Sequence, residues 1–220
     1  GRALALGLAQ DGYEVVVHCA SNRAKAEETR KLIEEKGGVA KTSELYTLGL
    51  DYRVLQRFVE EGTLERIKSG YDSLGYRKKS EEEIIPVLFP DGVLCMESGL
   101  YYQGYLKERP YIWSIAVDKN TSKSRFKMDY PIVHPYYTET KVLEMGVETF
   151  DMNGQKIKIY EKERLICDCL KYEDKLDADS LKKGLLAFIK DEEKDIAKLM
   201  MYARERRVVE KVRNRIGVWL

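Results

Sequence analysis

A chain of 220 residues, 44% hydrophobic and 34% charged, is long enough to bury a real core and too apolar to be disordered. Its net charge of +1 and pI near 7.7 exclude a uniformly basic nucleic-acid binder, so any DNA-binding face has to be local and balanced by acidic surface elsewhere. No apolar run approaches membrane-spanning length and no signal peptide is visible, which makes a cytoplasmic protein with no membrane partner the expectation. Length favours two domains. The chain opens on Gly1 and not on methionine, which leaves room for sequence upstream.

The first predicted element is a helix over 2–10 (RALALGLAQ), rich in alanine and leucine and stopped by Asp11-Gly12. Residues 14–18 (EVVVH) read as a short buried strand. Ser21-Asn22 is placed to cap a charged helix from about Arg23 to Lys36. The stretch GRALALGLAQDGYEVVVHCASNRAKAEE resembles the first helix, second strand and second helix of short-chain dehydrogenases/reductases, over about the first 35 residues. The resemblance implies that Ser21, Asn22 and Arg23 meet the adenosine ribose or 2′-phosphate of NADP. That family's first strand and glycine-rich phosphate turn are not in this sequence.

Gly37-Gly38 stops the charged helix, and Val39–Leu45 is expected to begin a new short one with Thr42 as its N-cap. Gly49 ends it, and Asp51 can cap a third helix. There Leu50, Val54, Leu55, Phe58 and Val59 share one face, Tyr52, Arg53, Gln56 and Arg57 share the opposite one, and Gly62 closes the helix. Residues 64–71 read as a hairpin turning at or near Ser69-Gly70, with Leu64 and Ile67 inward and Arg66 and Lys68 outward. Arg77, Lys78 and Lys79 follow in a linker. Three short helices followed by a basic hairpin is the order of a winged helix-turn-helix. A helix fits the major groove, where arginine can bond guanine and glutamine adenine at two atoms each. A hairpin with Arg66, Lys68 and Tyr71 can lie along the backbone and neutralise phosphates. The candidate DNA-binding residues are therefore Tyr52, Arg53, Gln56, Arg57, Arg66, Lys68 and Tyr71. A plainer reading stands beside this one: Arg53 and Arg57 as a solvated face paired with Glu60 and Glu61, Tyr52 and Tyr71 as half-buried aromatics.

From Ser80 to Glu83 the character changes. IIPVLFPDGVLCMESGLYYQGYL reads as a short apolar segment, a Pro-Asp-Gly turn and a helix with aromatic residues. Strands are expected at 111–117 and 132–137, then a hairpin over 147–160 turning at Asn153-Gly154. Helices are expected at about 161–172, 178–190, 192–206 and 207–216. In the first of these, Glu161, Glu163 and Arg164 are expected in helix-start contacts and surface pairs. Further on, Ile196, Leu199, Met200, Ala203 and Val208 should face inward, leaving Arg204, Arg206, Arg207, Arg213 and Arg215 on a solvated face or toward RNA or a toxin. The fold class is α+β: an N-terminal winged helix-turn-helix and a mixed α+β C-terminal domain, with a short α-β-α extension in front.

The helix-rich stretch at 32–76, then VLFPDGVLCMESGLYYQGYL, WSIAVDKNTSKSRFK and KIKIYEKERLICDCLKY with a helical tail, in that order, resembles the AbiEi-type antitoxins of bacterial type IV toxin–antitoxin (abortive infection, phage defence) systems. The likeness runs from roughly Glu28 to the end. It implies a non-enzymatic DNA-binding antitoxin that represses its own operon, with residues 28–79 as the DNA-binding domain and 83–220 as the antitoxin domain. The implied partners are double-stranded DNA, as inverted repeats in its own promoter, and a nucleotidyltransferase-like toxin countered without a stable complex. The family's members begin near Glu27–Arg30, so residues 1–27 are a departure from it, either an appendage or a lengthening of the first helix.

Other chemistry is sparse. Cys19, Cys95, Cys167 and Cys169 match neither a disulfide framework nor a zinc site, and His18 and His134 are isolated, so no metal or cofactor is expected. Ser124, Tyr137 and Lys141 have the dehydrogenase family's serine and Tyr-x-x-x-Lys spacing, the basis of an alternative reading as an NADP-dependent reductase. Pro131 and Pro135 argue for an extended segment there, where that family has a helix. Pro90-Asp91 with Glu139-x-Lys141 is a generic match to a nucleic-acid-processing enzyme.

Overall fold

The structure, a computed structural model, describes residues 20–35, 39–47, 49–68, 70–74, 80–128 and 130–219. The helix expected over 2–10, the strand expected over 14–18, and Arg77, Lys78 and Lys79 lie outside these residues. The fold is mixed α+β with two sheets, and the chain divides into two compact units, residues 1–78 and 79–220.

In the first unit, helix α1 (Ala20–Glu35) leads to β1 (Val39–Lys41), α2 (Thr42–Thr47), α3 (Tyr52–Glu60), β2 (Leu64–Lys68) and β3 (Tyr71–Leu74). Two sequence expectations change at the start. Ser21, Asn22 and Arg23 all lie within α1, so the helix begins ahead of the expected cap and the stretch that a dehydrogenase would offer to NADP is helical here. Helix α1 also runs unbroken through Glu27 and Glu28, where the two likenesses meet. Val39–Lys41 is a strand and not the start of α2, because it pairs antiparallel with β3, Val39 opposite Ser73 and Lys41 opposite Tyr71. Only that long-range partner makes it a strand. The sheet order is β1-β3-β2. Gly49 and Gly62, at φ of +72° and +70°, turn the chain after α2 and α3 as expected. One apolar cluster holds the unit together: Ile33 from α1, Ala40 from β1, Leu45 from α2, Leu55 and Phe58 from α3, and Leu64 from β2.

The second unit opens with α4 (Glu81–Leu88), so the short apolar segment expected there is helical as far as Leu88. Ser80 accepts from the Glu83 N–H while Glu83 accepts from the Ser80 N–H, a capping box strong enough to start a helix that carries Pro86 within it. A turn follows, closed by the Gly92 N–H on the Phe89 carbonyl at 3.0 Å. Then come β4 (Val93–Leu94), α5 (Met96–Tyr102), β5 (Trp113–Asp118), β6 (Val133–Thr138), a short α6 (Thr140–Leu143), β7 (Val147–Met152) and β8 (Gln155–Tyr160). The sheet order is β6-β5-β4-β8-β7, with β5–β6 and β4–β8 parallel and the other two pairs antiparallel. Outer strand β6 contains Pro135. Asn153 and Gly154, at φ of +53° and +83°, form the two-residue turn between β7 and β8 that the sequence indicates.

Four helices complete the unit: α7 (Lys162–Lys171), α8 (Ala178–Lys190), α9 (Ile196–Arg206) and α10 (Val209–Ile216). Helix α9 begins at Ile196 and not near 192, because Asp195 accepts from the Lys198 N–H at 2.9 Å and sets the start. Helix α7 is buried from Glu163 to Leu170. A helix enclosed on every side must satisfy its polar groups from within, and three expectations are corrected for this reason. Glu163 and Arg164 are not surface residues, and Arg206 does not face solvent: they are 5%, 0% and 5% exposed. Among the described residues no helix is long and apolar enough to cross a membrane.

Candidate functional site

Helix α3 is built to present its first turn. Gly49 reverses the chain after α2, and Asp51 then accepts from the Val54 N–H at 2.9 Å, fixing where α3 starts. Leu55 and Phe58 are buried, with Val54 and Val59 packed beside them. That leaves the opposite stripe free, and Tyr52, Arg53 and Arg57 are exposed on it. Tyr52 is 60% exposed, a poor state for a large ring with no partner surface.

Of the two charges on this stripe, Arg57 lies in the last turn, where the helix dipole favours a cation, and Arg53 does not. Arg53 sits in the first turn, where the helix dipole disfavours a cation, and the one acidic group at that end, the N-cap Asp51, is bonded to the Val54 N–H and not to Arg53. Arg53 and Arg57 are like charges at i,i+4, which costs an isolated helix about 0.2–0.5 kcal/mol. Among the described residues neither is in an ion pair, so the pairing with Glu60 and Glu61 considered from sequence is not formed. Gln56 differs from its neighbours: it is half-buried and donates to Glu60 at 3.3 Å.

The hairpin residues divide in a similar way. Arg66 is expected to point freely outward, but its Nε donates to Asp72 Oδ1 at 3.2 Å. Asp72 is fully buried and also accepts from the Thr42 hydroxyl at 2.7 Å, so this carboxylate ties the hairpin to the start of α2. Its role is not visible in the sequence, since Thr42, Arg66 and Asp72 are brought together only by the β1–β3 and β2–β3 pairings. Lys68 closes β2 opposite Tyr71 after a register shift, and Tyr71 is half-buried. The shift breaks the period of two, which is how Leu64 and Ile67, three apart, both turn from solvent.

No protein-family model matches the chain, and no curated protein matches it.

The residues of the alternative readings lie apart in local structure. Tyr137 is on β6 and Lys141 on α6, so the pair does not share a helix; Ser124 is in a short 3₁₀ turn, its hydroxyl against that of Ser122. Asp91 is held below the usual carboxylate range by its bond from the Arg125 guanidinium, while Glu139 pairs with Lys119 at 2.9 Å. Among the described residues no group of His, Cys, Asp or Glu is arranged to hold a metal ion.

A second polar centre, absent from the sequence reading as a site, lies in the second unit. Arg164 Nε donates to Asp168 Oδ2 at 3.1 Å, and Arg206 Nε donates to Asp168 Oδ1 at 2.5 Å. The Arg164 guanidinium also stacks 4.5 Å from the Tyr160 ring centroid. The i,i+4 spacing of Arg164 and Asp168 is readable in the sequence; their burial and the arrival of Arg206 from α9 are not.

Proposed function

We propose that this chain is a DNA-binding antitoxin of the AbiEi type, a non-enzymatic repressor of its own operon whose first unit is a winged helix-turn-helix. The observation that supports the DNA reading best is the exposed stripe Tyr52–Arg53–Arg57, with Arg53 at the helix start and neither arginine in an ion pair among the described residues. Arg57, in the last turn, suits the helix dipole, but Arg53 in the first turn does not, and phosphates or guanine edges supply what it lacks. The element order helix, strand, two helices and two strands, with α3 ahead of the hairpin, agrees with α3 entering the major groove and β2–β3 lying along the backbone. Tyr52, Arg53 and Arg57 are then the direct contacts, with Gln56, Lys68 and Tyr71 at the margin. Arg66 shapes the hairpin through Asp72. The second unit counters a nucleotidyltransferase-like toxin without a stable complex, and the order of its segments in the sequence carries that part of the proposal.

The test is binding to a fluorescent duplex carrying inverted repeats from the gene's own promoter. Arg53→Ala with Arg57→Ala should abolish specific binding while leaving the circular dichroism spectrum intact. Wild-type affinity and salt dependence in that double variant would remove α3 from the interface.

A further inference from the structure

We propose that the second unit contains a binding site for one small inorganic anion of halide size, at the cavity beside Arg164, Asp168 and Arg206. Charge makes the first argument. Arg164, Asp168 and Arg206 are 0%, 2% and 5% exposed, so two guanidiniums and one carboxylate share a place removed from water. These three groups sum to one positive charge at the cavity; the buried Glu163 carboxylate on the same helix does not line it and accepts from the Asp195 N–H at 2.8 Å. Both Asp168 oxygens are already taken, one by each arginine. Glu97 does not line the cavity and accepts from the Ser114 hydroxyl and the Asp177 N–H.

The hydrogen-bond inventory makes the second. Arg164 Nη1 donates to the carbonyls of Val142 and Met145, both at 3.3 Å, and Nε is used by Asp168. Arg164 Nη2 is buried and donates no hydrogen bond; it lies 3.0 Å from Asp168 Oδ2 but out of line with it. A buried guanidinium nitrogen with an unused proton asks for an acceptor. The cavity lined by all three residues has a free volume of about 10 Å³, on the scale of a single water, with Tyr136 and Tyr172 on its wall. A water fills that space but leaves the charge; a halide supplies both acceptor and counter-charge. The same excess is felt nearby: burial and then the Arg206 guanidinium hold the Lys171 ammonium below the usual lysine range.

Both tryptophans, Trp113 and Trp219, belong to the second unit, so tryptophan fluorescence follows its unfolding and not that of the DNA-facing unit. The full chain is melted in sodium chloride or bromide against sodium gluconate, an anion too large for the cavity, at constant ionic strength. The expected result is a saturable rise of about 3 °C in chloride or bromide over gluconate. Arg206→Met, which leaves a neutral Arg164–Asp168 pair, should lose the difference between anions. Equal melting in all three salts, or an undiminished halide effect in Arg206→Met, overturns the proposal. If Arg206→Met fails to fold, crystals of the wild-type chain grown in bromide decide the matter: an anomalous peak beside Arg164 Nη2 supports the site, and a water there refutes it.

Discussion

Across the hairpin of the first unit, Arg66 Nε lies 3.2 Å from Asp72 Oδ1, with the guanidinium one-third exposed and the carboxylate wholly buried. The asymmetry says which partner matters. Removing Arg66 leaves Asp72 with the Thr42 hydroxyl and lets water approach; removing Asp72 strips two donors of their acceptor at once. Asp72→Ala should therefore destabilise the first unit by about 1–3 kcal/mol, and Arg66→Ala by less. Hydrogen exchange of the β1 amides reports this directly, with faster exchange in Asp72→Ala.

The two cationic groups of α3 should separate from Arg66 in their salt response. Removing a cation that neutralises a phosphate lowers the slope of log affinity against log salt by roughly one. Arg57→Ala should lower the slope or relax base preference, depending on whether it meets phosphate or guanine. Arg66→Ala should weaken binding while largely keeping the slope, because its charge is spent on Asp72. Duplex titrations at four salt concentrations distinguish these outcomes.

Asp168→Ala should be the most damaging single change in the second unit. It leaves the Arg164 and Arg206 guanidiniums buried without their carboxylate, a loss of about 3–5 kcal/mol in comparable buried pairs. Urea unfolding followed by tryptophan fluorescence measures it, as a fall in midpoint at unchanged slope.

Two glycines with positive φ should respond very differently to alanine. At Gly154 (φ +83°) an added Cβ meets open space, so Gly154→Ala carries only the left-handed backbone penalty of about 1 kcal/mol. At Gly146 (φ +66°) the same atom comes 2.9 Å from Arg164 Cβ and from the Tyr202 ring. Gly146→Ala should cost at least twice as much, read as a larger fall in melting temperature.

Asp191 gives the second unit an acid-sensitive contact. Its carboxylate is held down at about 2, chiefly by Lys162 and then by the Tyr105 hydroxyl, which lie 2.9 and 2.6 Å away. A carboxylate with a depressed folded pKa stabilises above its unfolded value and loses that contribution as pH falls through the folded one. The contribution of Asp191 is thus complete above about pH 4 and lost between about pH 4 and 2. Asp191→Asn should flatten the stability profile in that window, seen in denaturation midpoints from pH 5 to pH 2.

The legible parts of this fold are those whose cause lies within a few residues. Asp51 before an apolar stripe, Asn153-Gly154 between alternating runs, and the span Ala178–Lys190 all depend on local geometry, and all are found where the sequence puts them. Val39–Lys41 misleads because three residues acquire strand geometry only from a partner thirty residues away. The apolar run Ile84–Leu88 is too short for its period to name an element, and the capping box between Ser80 and Glu83 makes it helical. In the candidate interface, the face of α3 is legible from helical spacing. The engagement of Arg66 and the burial of Arg206 depend on contacts between elements, which charge and spacing do not encode.

Pro135 gives the five-stranded sheet a one-sided chemistry at its border. A proline in β6 has no N–H to contribute to a further ladder, so a strand approaching that border meets a broken row of donors. At the far border, β7 carries Glu148 and Asp151 exposed, and a newcomer there meets negative charge. The sheet is therefore closed to growth at both ends by different means. During synthesis at high local concentration, this sheet should resist templating fibrils even while its helices are still docking.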